Sequence, residues 1–369
     1  MDATAVSTLR CDARPLVTVV VATWCGARFV ARTLDSILAQ TWQPLQVIVC
    51  DDGSTDDTPA VLARYADRVT LLHQANAGVS AARNHAARHA RGRWIAFLDH
   101  DDLWEPDMLE RQLAAVAGRP GAGLVYGDSL LIDDDGAVLG RRGRYLDYRD
   151  GHVLLDLLHG NFIPIETTVL PTRVFHELGG FDESLRYLED YDLYLRLAAR
   201  HPVVFQPQPV ARYRIHEGNL SHDREALLAE WVAVLERLLD DPALPAAARA
   251  IVLTQRGKRC ADSAWQAARR GDAAMARQWL VRAGRCCPAR DKVRVRLVAR
   301  LVESVPALAR WALLTGLPRR RLYGVKEEQP TSPVPGEPAE AERCWKNALA
   351  QDPSYYPARH NLARYRSSP

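Results

Sequence analysis

Two acidic clusters carry the residue types and spacings best suited to chemistry. Cys50-Asp51-Asp52-Gly53-Ser54 sets two carboxylates against a tight turn, and Leu98-Asp99-His100-Asp101-Asp102 sets three within four residues. Packing anions together is unfavourable unless a cation or a donor-rich ligand compensates, and hard oxygen ligands suit Mg²⁺ or Mn²⁺. On an extended strand end, side chains at i and i+2 point the same way, so Asp99 and Asp101 can reach one face. The competing reading is a solvated acidic turn that caps a helix, which suits DDGSTDD better than LDHDD, since the latter directly follows an apolar run. Neither cluster has the D-x-D-x-D-G order of an EF-hand.

Other chemistries are excluded by what these segments lack. The first apolar run exits through Ala22-Thr23-Trp24-Cys25-Gly26 with no G-x-G-x-x-G, which disfavours a dinucleotide dehydrogenase. There is no G-x-x-x-x-G-K-[ST] for P-loop phosphoryl transfer and no G-x-S-x-G elbow of an α/β-hydrolase. Seven cysteines without a C-x2-C pair argue against a disulfide framework or zinc module and fit a reducing cytosol. Lys+Arg 48 against Asp+Glu 45 gives +3, too balanced for a nucleic-acid binder acting through bulk charge. No apolar run is long enough to span a bilayer, so the chain reads as soluble. Leu16–Ala22 is short and β-branched and reads as a first core strand rather than a signal segment.

The elements that must position these clusters alternate. LVTVVVAT (16–23), LQVIVC (45–50), VTLLH (69–73) and RWIAFL (93–98) are continuous apolar strands. Between them lie a helical stripe at Val30, Leu34, Ile37 and Leu38, a helix opened by Pro59, and a helix over 80–90. Such repetition predicts a parallel sheet covered on both faces, with ligands outside the carboxyl ends of its strands, where the acidic clusters fall. Further on, GLVYGD reads as a strand, SLLI and AVLG around DDDG as a hairpin, and VVFQ and VARYRIH as two late strands.

Five segments in order carry a resemblance: PLVTVVVATWCGARFVARTLDSILAQT, VIVCDDGSTDDT, NAGVSAARNHA, GRWIAFLDHDDLWEP, and GGFDE followed by EDYDLYLRL. Together they resemble a family 2 glycosyltransferase. The resemblance implies an α/β GT-A fold, a Rossmann-like sandwich, with a nucleotide-sugar donor, a divalent cation (Mg²⁺ or Mn²⁺) and inversion at the anomeric carbon. It places Thr23 and Trp24 near the nucleobase, although Trp and Cys stand where the family has Tyr and Asn. It puts Asp52, with its companion Asp51, on the uracil edge, and Asn76, Gly78 and Arg83 beside the nucleotide and diphosphate. Asp99 and Asp101 become the D-x-D that holds donor ribose and metal. Asp190 becomes the general base, with Glu189 its rival and a helix cap the non-catalytic alternative. A free Asp has a pKa near 3.9, so it must take the proton as the new bond forms rather than pre-form an alkoxide. The segment YRIHEGNLS (Arg214, His216, Asn219, Ser221) resembles one that closes the donor site, leaving His216 either a neighbour of the metal and diphosphate or a lone exposed histidine.

The expected organisation is a GT-A domain over 15–221, an all-α extension over 222–324, a Pro/Glu/Ser-rich linker over 325–339 and a helical hairpin over 340–369. The last resembles part of a tetratricopeptide repeat, although one and a half repeats cannot bury a solenoid core. Arginines interleaved with Val, Leu and Trp311 over 285–321 would suit peripheral contact with an anionic membrane surface, or else form solvated helix faces. The functional expectation is an inverting, metal-assisted glycosyltransferase that moves a sugar, from a UDP-sugar by preference, to a glycan or lipid-linked acceptor in bacterial surface polysaccharide synthesis. Its expected location is the cytoplasm, including the inner face of the cell membrane. The rival is a non-catalytic sugar-nucleotide-binding scaffold that presents the helical tail to partners.

Overall fold

The computed structural model describes residues 14–284, except 145, 217, 220–223, 243 and 270–271. The basic stretch from 285, the linker and the tetratricopeptide-like hairpin lie outside the described residues, as does Ser221.

The first half alternates as its apolar runs require: β1 (Val17–Thr23), α1 (Val30–Leu38), β2 (Leu45–Asp51), α2 (Thr58–Ala63), β3 (Thr70–His73), α3 (Val79–Ala87) and β4 (Trp94–Asp99). There follow β5 (Leu103–Trp104), α4 (Met108–Val116), β6 (Leu124–Ile132), β7 (Val138–Arg141), α5 (Leu154–Leu157), β8 (Val169–Pro171), α6 (Thr172–Glu177), α7 (Glu189–Ala198) and β9 (Val203–Arg214). Three helices close the described chain: α8 (Arg224–Asp240), α9 (Ala246–Arg269) and α10 (Ala273–Gly284). None of the described helices is long and apolar enough to cross a membrane.

The sheet runs β3-β2-β1-β4-β8-β6-β9-β5, with β7 paired to β6. The expected parallel pairing holds across β3-β2-β1-β4. Beyond β4 the sheet is mixed, because β8 runs antiparallel to both β4 and β6. Two sequence expectations change here. GLVYGD and SLLI form the single strand β6, and VVFQ and VARYRIH merge into β9, whose register against β6 slips around Asp128. The interruption PQP in β9 imitates a turn in sequence, but the strand passes through it as an irregularity.

Alternate residues of β1 serve opposite faces. Val17, Val19 and Val21 pack with α1 and α4, whereas Val20 and Ala22 pack with α3, α6 and α7. Burial on both sides is why the run reads as continuously apolar rather than alternating. The second face also takes in Val234 and Leu235 of α8 and Ala248 and Val252 of α9, so these helices share the core of the sheet.

Candidate active site

Register gathers the acidic clusters. Ala22 pairs with both Cys50 and Asp99, and Thr23 with Asp51, so β1, β2 and β4 end side by side. Parallel strands in register deliver their terminal side chains to one edge whatever their distance in sequence.

At β2, Asp51 and Asp52 are buried. Asp51 accepts from the Ser54 amide at 3.0 Å and faces His73 Nδ1 at 3.2 Å. Asp52 accepts from Gln74 Nε2 at 2.8 Å and from the Ala77 and Gly78 amides at 2.9 and 2.8 Å. In this structure Asp52 staples the loop carrying Asn76 and Gly78 to the tip of β2, a task the sequence pattern did not reveal. Gly78 opens α3 at φ +93, and Gly53 at φ +74 lies so close to the Asn76 amide that a Cβ would approach it to 2.9 Å. Asn76 is exposed on that loop, and Trp24, which follows β1, is 52% exposed. Thr23 Oγ1 is buried without a hydrogen-bond partner among the described residues. Gly26 permits the approach of His100 to it, since a Cβ there would meet His100 and Thr23 Oγ1 at 2.5 Å.

At β4, Asp99, Asp101 and Asp102 place carboxylate oxygens within 4.8 Å of one another. Their environments differ. Asp102 is fully buried, accepts from the Arg214 amide at 2.8 Å, and is pushed well above the carboxylate range by burial and by Asp101, Glu166 and Asp99. Burial pushes Asp101 up too, but the His216 hydrogen bond and the nearby His100 and His216 hold it below its usual value; His216 Nε2 lies 2.7 Å from its Oδ2. The tip therefore offers the carboxylates of Asp99 and Asp101, with Asp102 buried behind them and bonded to the backbone of β9. Arg214, fully buried at the end of β9, brings His216 to the tip. Its guanidinium donates to the backbone oxygens of Asp101, Asp133 and Asp134, each at 2.8 Å.

Arg83 on α3 joins the metal-type tip to the carboxylate pair on α7. Buried to 3% exposure, it donates to Asp99 and, at 2.6 Å, to Glu189. Burial opposes its charge, yet Asp99 and Glu189 outweigh that and hold it cationic. Glu189 is thereby engaged. Asp190 is differently placed: it accepts from Asn161 Nδ2 at 3.1 Å and from the Tyr191 amide at 2.5 Å. Burial, then the charge of Glu189, raise its pKa to about 7. Asp190 is not the N-cap residue, since Leu188 holds that position, although Asp190 bonds the Tyr191 amide from within the first turn. Asn161 comes from a loop with no motif of its own, so nothing in the sequence marked it.

The site thus joins the Asp99 and Asp101 carboxylates, a histidine, a buried bridging arginine and a buried aspartate whose pKa is raised to about 7. The profile of glycosyl transferase family 2 matches residues 18–178. A glycosyltransferase of Rickettsia prowazekii is 30% identical over 232 residues, 61% of this chain and 73% of the relative. Against two longer Rickettsia glycosyltransferases the chain spans only 34% and 39% of the relative's length. Among solved structures, S. aureus TarS 1-349 in complex with UDP superposes with a TM-score of 0.60 at 15% identity, covering 82% of this chain and 92% of that one. The mannosyltransferase PcManGT from Pyrobaculum calidifontis, in complex with GDP-Man and Mn²⁺, gives 0.53 at 21% identity, covering 86% and 89%. The mixed sheet with helices on both faces is a GT-A fold, and the chain belongs to glycosyl transferase family 2.

Proposed function

We propose that the chain transfers a sugar from a nucleotide-diphospho-sugar to an acceptor hydroxyl with inversion, assisted by a divalent cation. The observation that carries this reading is the Arg83 bridge, which fixes the Asp99–Asp101 tip relative to the Glu189–Asp190 start of α7. Donor-binding and proton-accepting groups must keep one spacing for a direct displacement, and a buried bidentate guanidinium is a stiff spacer.

Asp99 and Asp101, with His216 beside them, are a hard carboxylate donor set that fits Mg²⁺ or Mn²⁺. Bound there, such an ion would neutralise charge developing on the diphosphate leaving group. The Mn²⁺ complex of the mannosyltransferase supports the same assignment. Thr23, Trp24, Asn76 and Gly78 line the side where the nucleotide would lie, and the unpartnered Thr23 hydroxyl is free to bond it. Asp51 and Asp52 shape that side by holding its loops. Asp190 accepts the acceptor proton as its oxygen bonds to the anomeric carbon from the face opposite the leaving group. A pKa of about 7 suits this task better than the ordinary value of an aspartate, since the ideal base titrates near the working pH. The UDP complex of TarS supports a UDP-sugar as donor. A glycan or lipid-linked acceptor, a role in surface polysaccharide synthesis, and work in the cytoplasm at the inner membrane face complete the proposal.

The test is release of nucleotide from a panel of UDP-, GDP- and dTDP-sugars with and without Mn²⁺, alongside thermal melting with the free nucleotides. At a ligand concentration of 100 Kd, binding stabilises by about 2.7 kcal/mol, which melting resolves. Absence of both nucleotide release and Mn²⁺-dependent stabilisation with every donor tried would overturn the reading.

A further inference from the structure

The turn that leads into α7 is held by the first helix after β9. Glu230, on α8, accepts from the backbone amides of Arg186, Tyr187 and Leu188 at 2.7, 2.8 and 3.1 Å. Three successive N–H groups converging on one carboxylate form an anion nest, here filled by a side chain 42 to 44 residues downstream. The last of them, Leu188, is the N-cap of α7 and makes no side-chain cap bond of its own, and the other two immediately precede it. Their next neighbours are Glu189, which holds Arg83, and Asp190.

The same helix grips the far side of the pair. Arg237 pairs with Asp182 and, at 3.1 Å, with Asp192. Trp231 packs edge-on against Tyr191 at 5.4 Å between ring centroids. Contacts from α8 therefore flank Glu189–Asp190 on both sides in sequence.

We propose that Glu230 is a positioning residue for sugar transfer: it sets the start of α7, and through it the distance of Asp190 from the Asp99–Asp101 tip. The helical region after β9 is then a working part of the catalytic unit. The inference rests on the reading of Asp190 as the base. A displacement of this turn by 1 Å alters the approach of Asp190 to the acceptor while leaving the donor's contacts on β1, β2 and β4 in place. Misplacements of that size typically lower turnover by about a hundredfold.

Glu230→Ala, Glu230→Gln and the control Glu236→Gln are compared with the full wild-type chain. Glu236 lies on α8 but pairs with Arg256 and Arg282, away from α7. The assay is nucleotide release from the wild type's best donor in the panel, resolved into kcat and donor KM, with melting in UDP and Mn²⁺. Glu230→Ala should lower kcat about tenfold to a hundredfold, with donor KM and the UDP–Mn²⁺ melting shift unchanged. Glu230→Gln keeps acceptor oxygen and should fall between it and wild type, while Glu236→Gln should match wild type. Unchanged kcat in Glu230→Ala, or equal losses in Glu230→Gln and Glu236→Gln, would overturn the proposal. Amide hydrogen exchange of residues 186–188 gives a second readout that needs no activity. Faster exchange in Glu230→Gln supports the clamp, and unchanged exchange overturns it. A wild type that releases no nucleotide would count against the functional reading, and the exchange result would still decide the clamp.

Discussion

Asp190→Asn separates chemistry from structure most sharply. The amide is nearly isosteric with the carboxyl and keeps Oδ1 for the Tyr191 amide at the start of α7, while its Nδ2 replaces the Oδ2 that accepts from Asn161, so that single contact is lost. It cannot accept a proton from the acceptor. The general-base contribution of about 10²–10⁴-fold in kcat should vanish, about 3–5 kcal/mol at 1.36 kcal/mol per tenfold. Two pH signatures follow from the raised pKa. Wild-type kcat/KM should climb with pH and level off above about 7, and the variant should lack that limb. Stability has a definite sign as well. The folded pKa, about 7, exceeds the ordinary 3.8, so the folded state keeps a proton that the unfolded chain releases between those values. Wild type should therefore lose stability as pH rises through that window, by a few kcal/mol at most, at 1.36 kcal/mol per pKa unit. Asp190→Asn should be spared that loss. The assay is initial-rate kinetics from pH 5 to 9 with melting scans over about the same range. A variant within fivefold of wild-type kcat, by about 1 kcal/mol, would refute the base assignment.

Asp101→Ala should abolish transfer and Mn²⁺-dependent stabilisation by UDP while the fold persists; full activity after chelation and metal restoration would contradict the D-x-D role. Asp52→Ala removes the acceptor for the Ala77 and Gly78 amides, bonds to a charged group worth about 1.5–3 kcal/mol each, so melting temperature should fall and donor KM rise while kcat at saturating donor survives. Arg83→Lys cannot span Asp99 and Glu189 with one ammonium, and breaking a buried pair costs about 3–5 kcal/mol; denaturant unfolding should show this, with transfer lost alongside.

Much of the protein was legible in its sequence because the information is local. Continuous β-branched runs bounded by polar turns mark strands buried on both faces, and their alternation with helical stripes marks the parallel half of the sheet. The acidic tips were visible as clusters, and the order of five segments carried the family. Other features depend on which distant residues meet. Asp99, Asp101 and Asp102 look equivalent in sequence, yet the arrival of β9 engages Asp102 with the Arg214 amide and sets His216 against Asp101. Asp52 reads as a ligand group, and only the folded loop shows it holding Ala77 and Gly78. Glu189 and Asp190 are adjacent acids that no pattern separates. Tertiary structure separates them by engaging one with Arg83 and leaving the other buried beside a negative charge, which raises its pKa. Burial and charge at a point are sums over neighbours from the whole chain, so a pKa, a bridging arginine or a clamp from α8 exists only once the fold has brought those neighbours together.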